Sequence, residues 1–408
     1  MTAPRTGPRP LPLLIATQIL TSLSSIGALP LWRSGSLSLS PKLWDAAARL
    51  VRDVEKTNPE DFFAAVQAEA MRRLDFFADG VARYQTSPVA DRPPEPPTIW
   101  HRRSARLLDY GTVVEGAANA PAVLCVPSLI NRGHILDLIE GRSLMRTIAR
   151  RGLRPLLLDW GTPDEAERTF TLSDYIDGHL GDALDHVRAE TGRSPALLGY
   201  CMGGNLALGL AVRRPGEVGP LALLATPWDF HASHGPGRAA LKAMRPSLEI
   251  MIAAQGTLPV DVLQALFNGL NPNLAGSKFR DLATVSTTSR KFANFVALED
   301  WLNDGVPLAG PVARECLFDW YGENTPGRGV WAINGTFVDP TKLDQPALVV
   351  VPTDDYIVPP DSALPLVDAL PNATLRTVKA GHIGMIAGGQ SATLLHRPLA
   401  DWIAGQLI

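Results

Sequence analysis

Cysteine is scarce: three residues in 408, Cys125, Cys201 and Cys316. An odd, low count builds no disulfide framework and suits a reducing compartment, so a cytoplasmic protein is expected. Cys-x-x-Cys and His-Glu-x-x-His spacings are both missing, which leaves no metal-site motif. Charge of neither sign prevails. The 38 Lys and Arg against 41 Asp and Glu give a net −3, too weak a field to mark a nucleic-acid binder. There is no internal repeat. Long clean apolar runs are lacking too. The most apolar stretch, Leu11 to Trp32, follows Arg5 and Arg9 but is interrupted by Thr17, Gln18, Thr21, Ser22, Ser24 and Ser25. A basic end before an apolar stretch imitates an export signal, and the clean run is too short for a bilayer span. An amphipathic segment packed on the protein, or lying on an apolar surface, is the expectation.

What is present divides at the prolines. Asn58-Pro59-Glu60 reads as a helix start, with Asn58 as N-cap and Pro59 at the first helical position. Another helix is expected from Lys42 to about Lys56. Phe62, Phe63, Val66, Ala70 and Phe77 continue at helical spacing, and Gly80 is the expected end. Residues 1–86 therefore read as a helical N-terminal region. Five prolines between Ser87 and Pro97 make 87–100 an extended linker.

From 101 to 408 short apolar runs alternate with helical patterns. Ala122–Val126, Pro155–Leu158, Ala196–Leu198, Leu221–Ala225 and Ala347–Val351 read as strands buried on both faces. Asp137–Arg151, Ser173–Thr191 and Asn205–Arg213 read as helices between them. This is the grammar of an α/β fold with a mostly parallel sheet. A helix-rich segment, about 226–345, interrupts the alternation and is expected to cap the site, inserted before the late strands.

The chemistry-bearing residues stand at strand ends. Ala196-Leu197-Leu198 runs into Gly199-Tyr200-Cys201-Met202-Gly203-Gly204 and then a helical pattern. Strand, tight turn and helix make the nucleophile elbow of an α/β-hydrolase fold, with Cys201 where Ser is usual. The helix N-terminus favours a thiolate there. Cys125 and Cys316 read as structural. In this fold the acid and the base follow in that order. The run Ala347–Val351 leads to Asp354 and Asp355, of which Asp355 is preferred as the acid. A strand near Thr374–Val378 leads to Gly381-His382-Ile383-Gly384, so His382 is the base. His231 and His234 read as surface histidines near the entrance. The N–H of Met202, with Leu129 or Ile130 from the loop after Ala122–Val126, is expected to form the oxyanion hole.

Across roughly residues 105–405 these blocks resemble the polyhydroxyalkanoate synthase family. The likeness is carried by Leu129-Ile130-Asn131-Arg132, Leu158-Asp159-Trp160-Gly161, Gly199 to Gly204, Ala225 to Phe230, Leu298-Glu299-Asp300-Trp301, Asp355 to Pro359 and Gly381 to Gly384. It implies a Cys201–Asp355–His382 triad that takes (R)-3-hydroxyacyl groups from coenzyme A, without a cofactor, and carries the chain as a thioester on cysteine. It implies Asn131, Tyr356 and Trp301 as substrate-binding residues, and as partners a polyester granule surface and a second synthase subunit or a homodimer. Tyr356 stands where the family has His. An acyl-CoA thioesterase or intracellular depolymerase on the same scaffold is the first rival, a granule-associated binding protein the second.

Overall fold

The computed structural model describes residues 5, 7–37, 39–88, 92–232 and 237–407. The chain forms two units. One comprises Met1–Ala90 and Gln264–Glu299, the other Asp91–Leu263 and Asp300–Ile408. The expected 226–345 cap is thus not a single body: its middle belongs with the N-terminal helices.

The larger unit is built on one eight-stranded sheet. Its strands are β1 Thr98–Arg102, β2 Ala105–Asp109, β3 Ala122–Val126, β4 Arg154–Asp159, β5 Ala196–Tyr200, β6 Leu221–Leu224, β7 Ala347–Pro352 and β8 Ala373–Val378. They lie in the order β1-β2-β4-β3-β5-β6-β7-β8. β1–β2 and β2–β4 are antiparallel and all other pairs parallel. Every residue of β3, β5, β6 and β7 is buried, the burial on both faces that makes unbroken apolar runs. β1 and β2 carry no such run. The start of β1 overlaps the expected linker, whose end is fastened here: Pro97 accepts from Asp109 N–H at 2.9 Å, and Pro94 from Arg146.

The helices of both units start and stop for local reasons. Up to residue 303 they are, in chain order, α1 Leu11–Arg33, α2 Trp44–Val54, α3 Pro59–Thr86, α4 Leu144–Arg150, α5 Gly181–Thr191, α6 Met202–Arg213, α7 Gly237–Gln255, α8 Val260–Leu270, α9 Pro272–Ala283 and α10 Arg290–Asn303. The helix expected from Asp137 begins only at Leu144. Gly141, at φ +78°, breaks the chain, and Ser143 caps α4 by accepting the Arg146 N–H at 2.9 Å.

In the smaller unit Asn58 Oδ1 accepts the N–H of Glu60 at 2.8 Å, as an N-cap should. The expected end at Gly80 is overturned, since α3 runs on to Thr86. A Cβ at Gly80 would lie 1.9 Å from the Phe279 carbonyl oxygen. Glycine is there to let α3 and α9 touch, not to end a helix. Around that contact Phe77, Val81, Tyr84, Phe279, Leu282, Phe292 and Val296 form the unit's core. Arg83 donates to the Leu282 and Val285 carbonyls.

α1 corrects the reading of its sequence. As a helix, Leu11–Trp32 is long and apolar enough, by length and composition, to cross a membrane. Its hydroxyls are satisfied internally: Thr17, Thr21, Ser22 and Ser25 each donate to a carbonyl four residues back. Leu14 packs into the core, and Gln18 is buried on the same side. Gln18, Thr21, Ser22 and Ser25 line a cavity of about 670 Å³ with Arg73 and Arg280, while Leu13, Ile15, Ile19, Leu20, Leu23 and Leu31 are exposed.

Candidate active site

β5 delivers Cys201 to the carboxyl edge of the sheet. The residue sits at φ 56°, ψ −127°, a backbone conformation that costs a non-glycine residue about 1–3 kcal/mol and persists only where the surroundings impose it. They do so through three glycines. A Cβ on Gly199 would meet Gly204 Cα at 2.4 Å, one on Gly203 the Val126 carbonyl at 2.0 Å, and one on Gly204 the Thr226 Oγ at 1.8 Å. Cys201 N–H is tied to the Leu224 carbonyl at 2.8 Å. Met202 opens α6 directly after it, so the thiol stands at the positive end of a helix dipole.

The loop after β7 settles which aspartate faces the histidine. Asp354 is exposed, whereas Asp355 is buried. Its Oδ2 lies 2.7 Å from His382 Nδ1, and its Oδ1 accepts the N–H groups of Ile357 at 2.8 Å and Val358 at 2.9 Å. Two backbone donors hold the carboxylate, so the side chain at 356 is not needed to orient it. Tyr356 is 69 % exposed, which separates it from the buried acid.

His382 follows β8 and is itself buried. Burial alone would lower its pKa. The Cys201 charge, hydrogen bonds to Asp355 and Cys201, and the Asp355 charge outweigh that and raise it to about 10. The imidazole therefore holds its proton at neutral pH. Cys201, His382 and Asp355 are thus brought together, the imidazole hydrogen-bonded to the thiol on one side and to the carboxylate on the other.

The oxyanion candidates separate. Met202 N–H is at the head of α6, beside the nucleophile. Ile130 N–H donates to Ser128 Oγ at 3.2 Å, so it is already engaged. Leu129 remains the loop's candidate. Asn131 is bridged to Gly305. Trp301, expected to bind substrate, is 4 % exposed and donates its indole N–H to the Arg132 carbonyl at 2.7 Å. That bond ties it to the loop.

The remaining cysteines are buried, and burial pushes both thiols up, Cys316 with added repulsion from Glu315, Asp319 and Cys201. His231 is half-buried, its Nε2 3.1 Å from the Gly322 carbonyl and its Nδ1 3.0 Å from Arg238. His234 lies outside the described residues. Two residues escaped the sequence reading. Tyr200 packs on His382, though its place beside Cys201 was a signal. Tyr321, 37 % exposed as a residue, has its hydroxyl pKa raised by desolvation of the hydroxyl and then by the charges of Cys201, Cys316 and Asp355, and no motif marked it. Its ring meets Phe230 at 4.9 Å, and Trp320 and Trp331 continue the aromatic wall.

A profile described as alpha/beta hydrolase fold matches residues 121–388. The poly(3-hydroxyalkanoate) polymerase subunit PhaC of Synechocystis sp. is 33% identical over 315 residues, 75% of this chain and 83% of that protein. The chain belongs to the poly(3-hydroxyalkanoate) polymerase family. The family's PhaC subunits from Haloferax mediterranei and Allochromatium vinosum are each 30% identical, over 90% and 71% of this chain and 71% and 82% of their own lengths. A Paleococcus ferrophilus monoacylglycerol lipase structure covers 74% of this chain and 99% of its own, at 17% identity and TM-score 0.49. Membership of the polymerase family makes the chain an enzyme of the acyltransferase type on an α/β-hydrolase fold.

Proposed function

We propose that the chain polymerises (R)-3-hydroxyacyl groups from coenzyme A thioesters through Cys201, His382 and Asp355. The observation that carries this is His382, held at 2.7 Å by Asp355 and hydrogen-bonded to a cysteine on the elbow. In the first half-reaction the Cys201 thiolate attacks the thioester carbonyl. The N–H groups of Met202 and Leu129 receive the oxyanion. Collapse of the intermediate breaks the carbon–sulfur bond to coenzyme A, which leaves with the proton from His382. In the second, His382 takes the proton of a 3-hydroxyl, and that oxygen attacks the Cys201 thioester to extend the ester chain. Exchange between two thioesters is nearly balanced in energy, and thiolate is a strong nucleophile, which suits cysteine over serine. No cofactor enters either step.

Relatives carry the name polymerase subunit, which supports a second subunit, or a second copy of this chain, as partner. The outward aliphatic face of α1 supports docking on the polyester granule that forms in the cytoplasm. The test is the purified chain with (R)-3-hydroxybutyryl-CoA. Insoluble polyester with release of coenzyme A, both lost in Cys201→Ala, is the expected result. Free 3-hydroxy acid as sole product would make the chain a thioesterase, and retained release in Cys201→Ala would overturn the nucleophile.

A further inference from the structure

The loop Pro127–Arg132 is fixed by its carbonyl groups. The Pro127 oxygen accepts from Trp160 Nε1 at 3.0 Å, the Ile130 oxygen from Val306 N–H at 2.9 Å and the Arg132 oxygen from Trp301 Nε1 at 2.7 Å. Asn131 and Gly305 form an antiparallel bridge between the last two. From the opposite side Gly203, in the first turn of α6, packs against the Val126 and Pro127 backbone so closely that a Cβ has no room. A peptide unit is planar, so pinning the carbonyl of one residue aims the N–H of the next the other way. Pinning the Pro127 and Ile130 carbonyls fixes the peptide units that lead into Ser128 and Asn131, so the short turn between them, which carries the Leu129 N–H, is held at both ends. Ser128 Oγ closes the turn from within by accepting the Ile130 N–H.

Both indoles are buried. Trp160 is 5 % and Trp301 4 % exposed. A buried N–H must find an acceptor, and here both acceptors are carbonyls of the one loop that faces the elbow. Trp160 is itself braced, edge to face, by Tyr175 at 5.7 Å. We infer that Trp160 and Trp301 are positioning residues for acyl transfer: they clamp the loop from two sides and set where the Leu129 N–H points relative to Cys201. Neither touches the reacting atoms. The inference builds on the acyl-transfer reading of Cys201 but not on the identity of the acyl donor.

The test uses the full chain with Trp160→Phe and Trp301→Phe, which keep a buried aromatic ring while deleting the indole N–H and part of the ring volume. An oxyanion donor removed outright costs roughly 10²–10³ in rate. A donor left in place but loosely aimed is expected to cost about tenfold in kcat, with KM for (R)-3-hydroxybutyryl-CoA changed less than about twofold. Alkylation of Cys201 by iodoacetamide needs no oxyanion hole and should keep its wild-type rate and pH profile. The same variants are assayed for acylation of Cys201 by p-nitrophenyl acetate, which uses the oxyanion hole whatever the natural donor is. If the wild type acts on the ester and not on the hydroxyacyl thioester, the substrate reading fails while the clamp is judged on the ester. Acylation unchanged in both variants would overturn the inference. So would a fall in acylation matched by an equal fall in alkylation, because that marks general loss of structure.

Discussion

The ring of Tyr200 lies 5.2 Å from that of His382, tilted by 30°, and its hydroxyl donates to the His382 carbonyl at 3.3 Å. The residue before the nucleophile thus walls in the base. Asp355 fixes one edge of the imidazole and Tyr200 one face, so the nitrogen toward Cys201 is aimed by two contacts. Tyr200→Phe keeps the face and is expected to retain activity within about threefold, because a long neutral hydrogen bond contributes little. Tyr200→Ala removes the wall and should lower kcat for coenzyme A release about tenfold or more, since small misplacements of a base are costly. Steady-state kinetics of the two variants check this. Equal activity would show the ring to be packing only.

The raised pKa of the buried His382 imidazole predicts a pH-dependent difference in stability. His382 rises from an ordinary 6.5 to about 10 in the folded chain. A cationic group with a raised folded pKa contributes stability that is whole below about 6.5 and lost as pH climbs through about 10. Against His382→Gln, the wild type should hold its largest advantage in urea midpoint at pH 6–7 and lose it by pH 10.5. Iodoacetamide should also alkylate Cys201 in the wild type at pH 6 at least about tenfold faster than in His382→Gln, which has no cation beside the sulfur.

Glu315 predicts a loss in the same direction, over a lower pH range. Burial, then Asp319 and Asp174, raise its pKa from 4.5 to about 7, against the pull of the Leu172 N–H that it accepts at 2.9 Å. The folded chain holds this proton longer than the unfolded one. Stability is therefore lost as pH rises from 4.5 through 7. At about 1.4 kcal/mol per pH unit the loss is on the order of 3 kcal/mol. Glu315→Gln keeps an acceptor for Leu172 and carries no charge. Its urea midpoint should match the wild type at pH 4.5 and exceed it at pH 8. A variant less stable than the wild type at pH 8 would show that the carboxylate is a net support.

Gly80→Ala tests the close contact of α3 and α9. The added methyl meets the Phe279 carbonyl at 1.9 Å, and neither backbone has slack. Overpacking of this kind costs about 1–3 kcal/mol, although alanine is the better helix former by about 1 kcal/mol. Denaturant unfolding should show a net loss. A gain would mean that Gly80 is tolerated rather than required.

Gly80 also shows where sequence reading runs out. Cys201, Asp355 and His382 were legible because the chemistry demands particular residue types at particular strand ends, and because strands buried on both faces leave apolar runs. Met202 followed from the elbow. Trp301 was not legible: its partner, the Arg132 carbonyl, is 169 residues away, and an indole reads alike whether it binds substrate or clamps a loop. The division of 226–345 between two units was hidden for the same reason. A helical period shows that a segment has a buried face but not which element covers it, so Phe279 on α9 gave no hint of Gly80 on α3.

The exposed aliphatic side chains of α1 carry the last prediction. Leu20 and Leu23 are 65 % and 60 % exposed, with Ile19 and Leu13 beside them, while the hydroxyls bond within the helix and Gln18 is engaged by Arg280 at 3.1 Å. A helix with no unsatisfied hydroxyl and an outward aliphatic face is suited to an apolar phase. Each fully buried leucine is worth about 1.5–3 kcal/mol, so Leu20→Glu with Leu23→Glu removes several kcal/mol of attachment and adds charge. The double variant should stay in the supernatant when wild-type chain sediments with polyester particles, and coenzyme A release in free solution should be unchanged. Co-sedimentation equal to the wild type would assign this face to another partner. A drop in the oligomeric state of the double variant, with particle binding kept, would identify that partner as a second copy of the chain.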